Sequence, residues 1–89
     1  MSTTALGELE PRRQATVSGE IFSVVSYEAP WVRTDAELSD GTGVVVLRFM
    51  GRAEVPGLSP GRRIVAHGTP ADRDGVLVIP NPVYEFVAD

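Results

Sequence analysis

The chain reads as an all-β protein, a small barrel of five short strands. Three observations predict this. Apolar and polar residues alternate in short runs with no helical spacing, and β-branched or aromatic residues fill those runs. Glycine or proline then punctuates the connections between them. With 89 residues there is room for one hydrophobic core. Residues 1–12 read as a flexible leader, with Ser2-Thr3-Thr4, a weakly helical Ala5 to Glu10 and a breaking Pro11. Residues 13–89 form the single domain.

The first strand runs from Ala15 to Tyr27, with Gly19 inside it permitting a bend or bulge. Glu28-Ala29-Pro30 supplies a turn. Trp31 to Leu38 then alternates, with Val32, Thr34, Ala36 and Leu38 on one side and Trp31, Arg33, Asp35 and Glu37 on the other. Asp40-Gly41-Thr42-Gly43 is a hairpin signal, and Gly41 or Gly43 is expected at positive φ. In the third strand, Val44 to Met50, the core takes Val45, Leu47 and Phe49, because the opposite choice would bury Arg48. Gly51, Pro56, Gly57, Pro60 and Gly61 leave space for a short or degenerate helix of one or two turns within Arg52 to Leu58. Arg62 to Thr69 is the fourth strand and Asp72-Arg73-Asp74-Gly75 a turn. Val76 to Ile79 with Val83 to Val87 make a fifth strand, interrupted by Pro80-Asn81-Pro82.

Composition excludes whole classes of chemistry. Hydrophobic residues at 43% against 22% charged let the chain fold unaided. No cysteine is present, which removes disulfides, thiolate catalysis and cysteine-ligated metals. No apolar run reaches the ~20 residues of a membrane helix or the ~7 to 15 of a signal peptide, so the expected address is the cytoplasm. A net charge of −4 argues against tight, sequence-blind binding of polyanions. All eight basic residues are arginine, the side chain suited to bidentate phosphate contacts and to stacking on bases.

The candidate catalytic motifs reduce to turn chemistry. Gly57-Leu58-Ser59-Pro60-Gly61 matches a nucleophile elbow in letters, but it lacks the strand–turn–helix context and Pro60 removes a needed N–H. Asp72-Arg73-Asp74-Gly75 lacks the third acidic ligand and the closing glutamate of a calcium loop. His67 has no second histidine to join in binding zinc, so no metal is expected. Asp35 and Glu37 share the wet side of a strand and read as surface charge. No catalytic residue and no cofactor is expected. What remains is a face, with Trp31 and Arg33 on the second strand, Val44, Val46, Arg48 and Met50 on its hairpin partner, and Arg52 just beyond. An aromatic plane beside arginines is what a single nucleic-acid strand needs, since bases stack at ~1 to 3 kcal/mol each and guanidinium groups hold phosphates.

Five blocks in order carry a resemblance. They are Val17-Ser18-Gly19-Glu20-Ile21, Ala36 to Gly43, Leu47-Arg48-Phe49-Met50-Gly51-Arg52, Val55 to Gly61, and Asn81-Pro82-Val83-Tyr84-Glu85. Together they resemble the OB-fold nucleic-acid-binding domain of the tRNA-anticodon type, and among its members the small stand-alone OB-fold proteins of actinobacteria. More distantly they are similar to the wedge domain of RecG-type helicases. The resemblance implies a five-stranded Greek-key barrel that binds single-stranded DNA or RNA on the face of its second and third strands and in the loops beside it.

The expectation is therefore a non-enzymatic module that binds single-stranded nucleic acid weakly. Trp31 would stack, and Arg33, Arg48, Arg52 and Arg73 would contact phosphates. The alternative is a protein-interaction module, docking a partner or a second copy through Val44, Val46 and Met50, which the acidity of the chain favours. Reversing the charges of Arg33 and Arg48 is expected to leave stability nearly unchanged, because both are read as wet-face residues.

Overall fold

The computed structural model describes residues 2–88. Met1 and Asp89, the outer ends of the expected leader and domain, lie outside the described residues. The strands are β1 (Ala15–Tyr27), β2 (Arg33–Ser39), β3 (Val44–Met50), β4 (Arg63–Gly68), β5 (Ala71–Arg73), β6 (Val76–Pro80) and β7 (Val83–Phe86). They form one seven-stranded sheet in the order β5-β6-β3-β2-β1-β4-β7. β6 joins β3 in parallel and β7 joins β4 antiparallel. Only Asn81 and Pro82 separate β6 from β7, so one stretch of chain bridges the two sides of the sheet and closes it into a barrel.

The alternation read from the sequence positions the core. Thr34, Ala36 and Leu38 of β2 are buried, as are Val45, Leu47 and Phe49 of β3. They meet Val17 and Ile21 of β1, Ile64 and Ala66 of β4, and Ile79 of β6. Each fully buried branched aliphatic side chain contributes roughly 1.5 to 3 kcal/mol. Thr34 is the one polar member among the described residues, and its hydroxyl is satisfied by donating to the Arg52 carbonyl at 2.8 Å.

The count of five strands is corrected to seven. The last strand is cut in two, because Asn81 takes φ 46° and Pro82 has no N–H to offer a ladder. Asn81 makes the break tolerable. Its N–H donates to the Arg48 carbonyl at 2.7 Å, and its side-chain oxygen accepts from the Met50 N–H at 3.0 Å. In addition, Ala71–Arg73 pairs with Val76–Val78 as an extra hairpin. Asp74 and Gly75 fill its two turn positions at φ 56° and 85°, the signs that a two-residue primed turn requires.

The expected helix between the third and fourth strands is also corrected. Residues 51–62 form turns only, among them Leu58 N–H to the Val55 carbonyl at 3.1 Å and Arg62 N–H to the Ser59 carbonyl at 3.2 Å. The physical reason is the punctuation that shortened the helix in the first place. Pro56 and Pro60 withhold donors, while Gly51, Gly57 and Gly61 all take positive φ. Val55 and Leu58 still pack against the core from this loop.

Gly19 does not carry the bulge. The register of β1 against β2 slips between Ile21 and Ser23, at Phe22. A Cβ on Gly19 would lie 2.5 Å from the Ser39 carbonyl oxygen, so the glycine allows close approach of two backbones. Gly41 takes the expected positive φ, at 88°.

Over residues 4 to 12 the stretch read as a flexible leader is packed on the barrel. A 3₁₀ turn at Leu6–Glu8 places Leu6 at 3% exposure inside the core cluster, with Leu9 beside it. The strap is tied down by polar contacts. The Leu6 N–H donates to Asp40 Oδ2 at 2.9 Å, the Gly7 N–H to Thr42 Oγ1 at 3.0 Å, and the Arg12 N–H to the Pro70 carbonyl at 2.7 Å.

Asp40 is the anchor of that strap. Hydrogen bonds from the Thr42 hydroxyl first, and from the Leu6 N–H second, hold its carboxyl down from 3.8 to about 2. A depressed carboxyl stabilises the fold above its unfolded pKa, and that contribution is lost as pH falls toward the folded value. Wild type is therefore expected to lose thermal stability between about pH 4 and pH 2, and Asp40→Asn to flatten that part of the profile. Parallel profiles for the two proteins across this window would contradict the assignment.

Candidate nucleic-acid interface

β2 and β3 pair in a register that sets Arg33 opposite Met50, Asp35 opposite Arg48, Glu37 opposite Val46 and Ser39 opposite Val44. All eight lie on the outer face, since their neighbours in each strand are the buried residues. β1 continues the face with Tyr27 beside Arg33 and Val25 beside Asp35. On the other side of β3 the row ends at Pro80, level with Arg48.

At one end of this face lies a hollow of about 240 Å³, lined by Trp31, Arg48, Met50, Ala71, Arg73, Val78 and Pro80. The loop between β1 and β2 brings Trp31, which is 54% exposed, and the β5–β6 hairpin brings Arg73. Four of the residues singled out from the sequence thus line one hollow, Trp31, Arg48, Met50 and Arg73. A depression of about 570 Å³ along the strap is larger, but no aromatic side chain lines it.

The remaining candidates sit elsewhere. Arg33 lies beside the hollow, stacked on the Tyr27 ring at 4.2 Å. Arg52 is exposed in the loop after β3 and does not line the hollow. Val44 lies at the far end of β3, where it shares a separate depression with Phe22 and Arg63. Val46 is half-buried between the two ends.

Asp35 governs the electrostatics. It accepts from Arg48 Nε at 3.0 Å through Oδ1 and from Arg48 Nη2 at 3.1 Å through Oδ2. Arg33 Nε stands 3.7 Å from the same Oδ2. The hydrogen bonds that Arg48 donates to Asp35 push its guanidinium further up from its ordinary value, so it is charged at any accessible pH. Two cations around one anion leave the cluster with a net charge of +1.

Sequence reasoning missed Tyr27 and Phe22. For Tyr27 a signal existed, since an aromatic at the last position of a strand that pairs with an arginine-bearing strand can stack on it. Phe22 depended on the bulge, which had no signature of its own. His67 is occupied structurally, with its Nδ1 at 2.9 Å from the Thr16 hydroxyl. Among the described residues, no three His, Asp or Glu side chains gather in a way that could hold a metal ion. No helix among them is long and apolar enough to cross a membrane.

This geometry is that of an OB-fold barrel, and known proteins agree at the level of the fold. None of the established protein-family models matches the chain. It is 36% identical over 66 residues, 71% of its length, to the ATP-dependent DNA helicase RecG of Escherichia coli. The chain spans 9% of the length of that relative. Among solved structures, an OB domain from Methanosarcina mazei superposes with a TM-score of 0.74 at 15% identity, over 98% of this chain and 84% of that one. A chain of the S. pombe Stn1–Ten1 complex superposes with a TM-score of 0.71 at 18% identity, over 86% of this chain and 60% of that one.

Proposed function

We propose that the protein is a non-enzymatic OB-fold module that binds single-stranded nucleic acid weakly on the outer face of β2 and β3 and in the adjoining loops. One observation carries the reading: an exposed tryptophan and two arginines, Trp31, Arg48 and Arg73, line the same hollow, with Arg33 stacked on Tyr27 beside it. Trp31 offers a stacking plane for a base, Arg48 and Arg73 would contact the backbone of the strand in the hollow, and Arg33 beside it and Arg52 in the loop after β3 would supply further phosphate contacts. The similarity to a DNA helicase supports a nucleic-acid ligand.

A second reading, docking of a protein partner or a second copy, is favoured by a different observation. Phe22 and Val44 are each 47% exposed and lie together at the opposite end of the face, next to Glu20 and Asp40. The solved neighbour from a two-protein complex agrees with it.

Fluorescence anisotropy with labelled oligo-dT, oligo-U and duplex, across a salt series, separates the two. Single-strand preference with a dissociation constant of ~10⁻⁴ to 10⁻⁶ M and a steep salt dependence is expected. Trp31→Ala is expected to lose ~1 to 3 kcal/mol of binding with the salt slope unchanged, because stacking is not screened as phosphate contacts are. A Trp31→Ala protein that binds like wild type would remove the stacking role. Absence of oligonucleotide binding together with a mass that rises with concentration would favour the second reading.

A further inference from the structure

We infer that Asp35 limits the affinity of this face by holding its arginines as a bound phosphate would, so that a nucleic-acid strand has to displace it. The inference rests on the reading of the face as a single-strand interface and adds the device that sets its strength. Arg48 presents its Nε and Nη2 together, the edge of the guanidinium suited to a two-point phosphate contact, and both donors are occupied by Asp35 at 3.0 and 3.1 Å. A phosphate arriving in the hollow finds only the Nη1–Nη2 end of Arg48 free, and it meets the Asp35 charge at close range.

The geometry also provides for the displaced carboxylate. Arg33 Nε is buried and has no hydrogen-bond partner, standing 3.7 Å from Asp35 Oδ2, too far to be satisfied. A small turn of the Asp35 side chain toward Arg33 would satisfy that donor while releasing the Nε–Nη2 edge of Arg48. Asp35 thus has two guanidinium partners within reach and can leave one without becoming an unpaired charge. Glu37 occupies the next outward position on β2 and faces Val46 across the ladder, with no arginine opposite it, so it serves as an internal control.

The test measures anisotropy of labelled oligo-dT with the full chain carrying Asp35→Asn, Asp35→Thr or Glu37→Gln. Threonine is included because it favours strands and keeps the position neutral if the asparagine variant does not fold. Removing one negative charge a few ångströms from a bound phosphate is expected to tighten binding about 5- to 50-fold at low salt. The salt slope should rise by ~0.7, the increment for one further contact to a single strand. Glu37→Gln is expected to change affinity less than about 3-fold, since Glu37 has no arginine opposite it and does not line the hollow, so its removal frees no phosphate-binding edge. Weaker or unchanged binding by the Asp35 variants would overturn the inference and assign Asp35 a positioning role while leaving the interface intact. An equal gain from Glu37→Gln would overturn it as well, reducing the effect to overall charge. If wild type and all variants fail to bind oligo-dT at low salt, the interface reading falls and the inference falls with it.

Discussion

Replacing Arg33 and Arg48 together by glutamate is expected to abolish oligonucleotide binding. Their guanidinium groups flank one hollow on adjacent strands, and two acidic side chains beside Asp35 would turn a cluster of net charge +1 into one of −3. From a starting affinity no better than ~10⁻⁶ M, such a change carries binding below detection at any practical salt concentration. The same geometry alters what the sequence led one to expect for stability. Both side chains are largely buried, at 16% and 24% exposure, and both surround a carboxylate that is itself nearly covered. The double reversal is therefore expected to cost on the order of 1 to 3 kcal/mol of folding free energy. The milder pair Arg33→Gln with Arg48→Gln should fold with a smaller loss and reduce the salt slope by ~0.7 per contact removed. Undiminished binding by the glutamine pair would move the site away from this hollow and shift the balance toward partner docking.

Leu6→Ala is expected to be the most damaging single truncation outside the strands. Leu6 is packed among Leu9 and the core side chains of the barrel, so shortening it removes buried apolar surface and leaves a cavity that the strap cannot fill without breaking its own hydrogen bonds to Asp40 and Thr42. Leu→Ala substitutions at such sites cost ~2 to 5 kcal/mol. Against the ~5 to 13 kcal/mol of a chain this size, that loss is expected to lower the melting temperature by roughly 10 to 25 °C. Urea denaturation followed by tryptophan fluorescence gives the free energy directly. A change under about 1 kcal/mol would mean that the strap contributes little and that residues 4 to 9 behave as the leader suggested by their composition.

The four long strands were legible because their signal is local. In β2 charged positions alternate with Thr34, Ala36 and Leu38, and in β3 the single Arg48 marks the wet side, so the pleat turns each into an inside and an outside whatever else the chain does. The parity of Arg33, Asp35 and Arg48 followed from the same rule, while the positive φ of Gly41 followed from the Asp-Gly turn signal. The extra hairpin at β5 had a signal too, Asp74-Gly75. Its first strand is only Ala71-Asp72-Arg73, and two charged residues in three gave no apolar period to read. The packing of residues 4 to 9 left no local signal for a similar reason, since two leucines three apart in a polar stretch mark no buried face until a barrel end needs closing.

The candidate site divides along the same line. Strand parity alone was enough to put Arg33 and Arg48 on one wet face, because side-chain direction in a strand depends only on counting, whereas Trp31 lies in the loop before β2. Which of them meet was settled by long-range folding. The β5–β6 hairpin carries Arg73 across to Trp31, the broken last strand brings Pro80 level with Arg48, and the register of β2 on β3 sets Asp35 against Arg48 while leaving Arg52 outside. Those contacts join residues 13 to 42 positions apart in the chain. No local preference encodes such pairings, since they depend on how the barrel closes and where its last strand breaks.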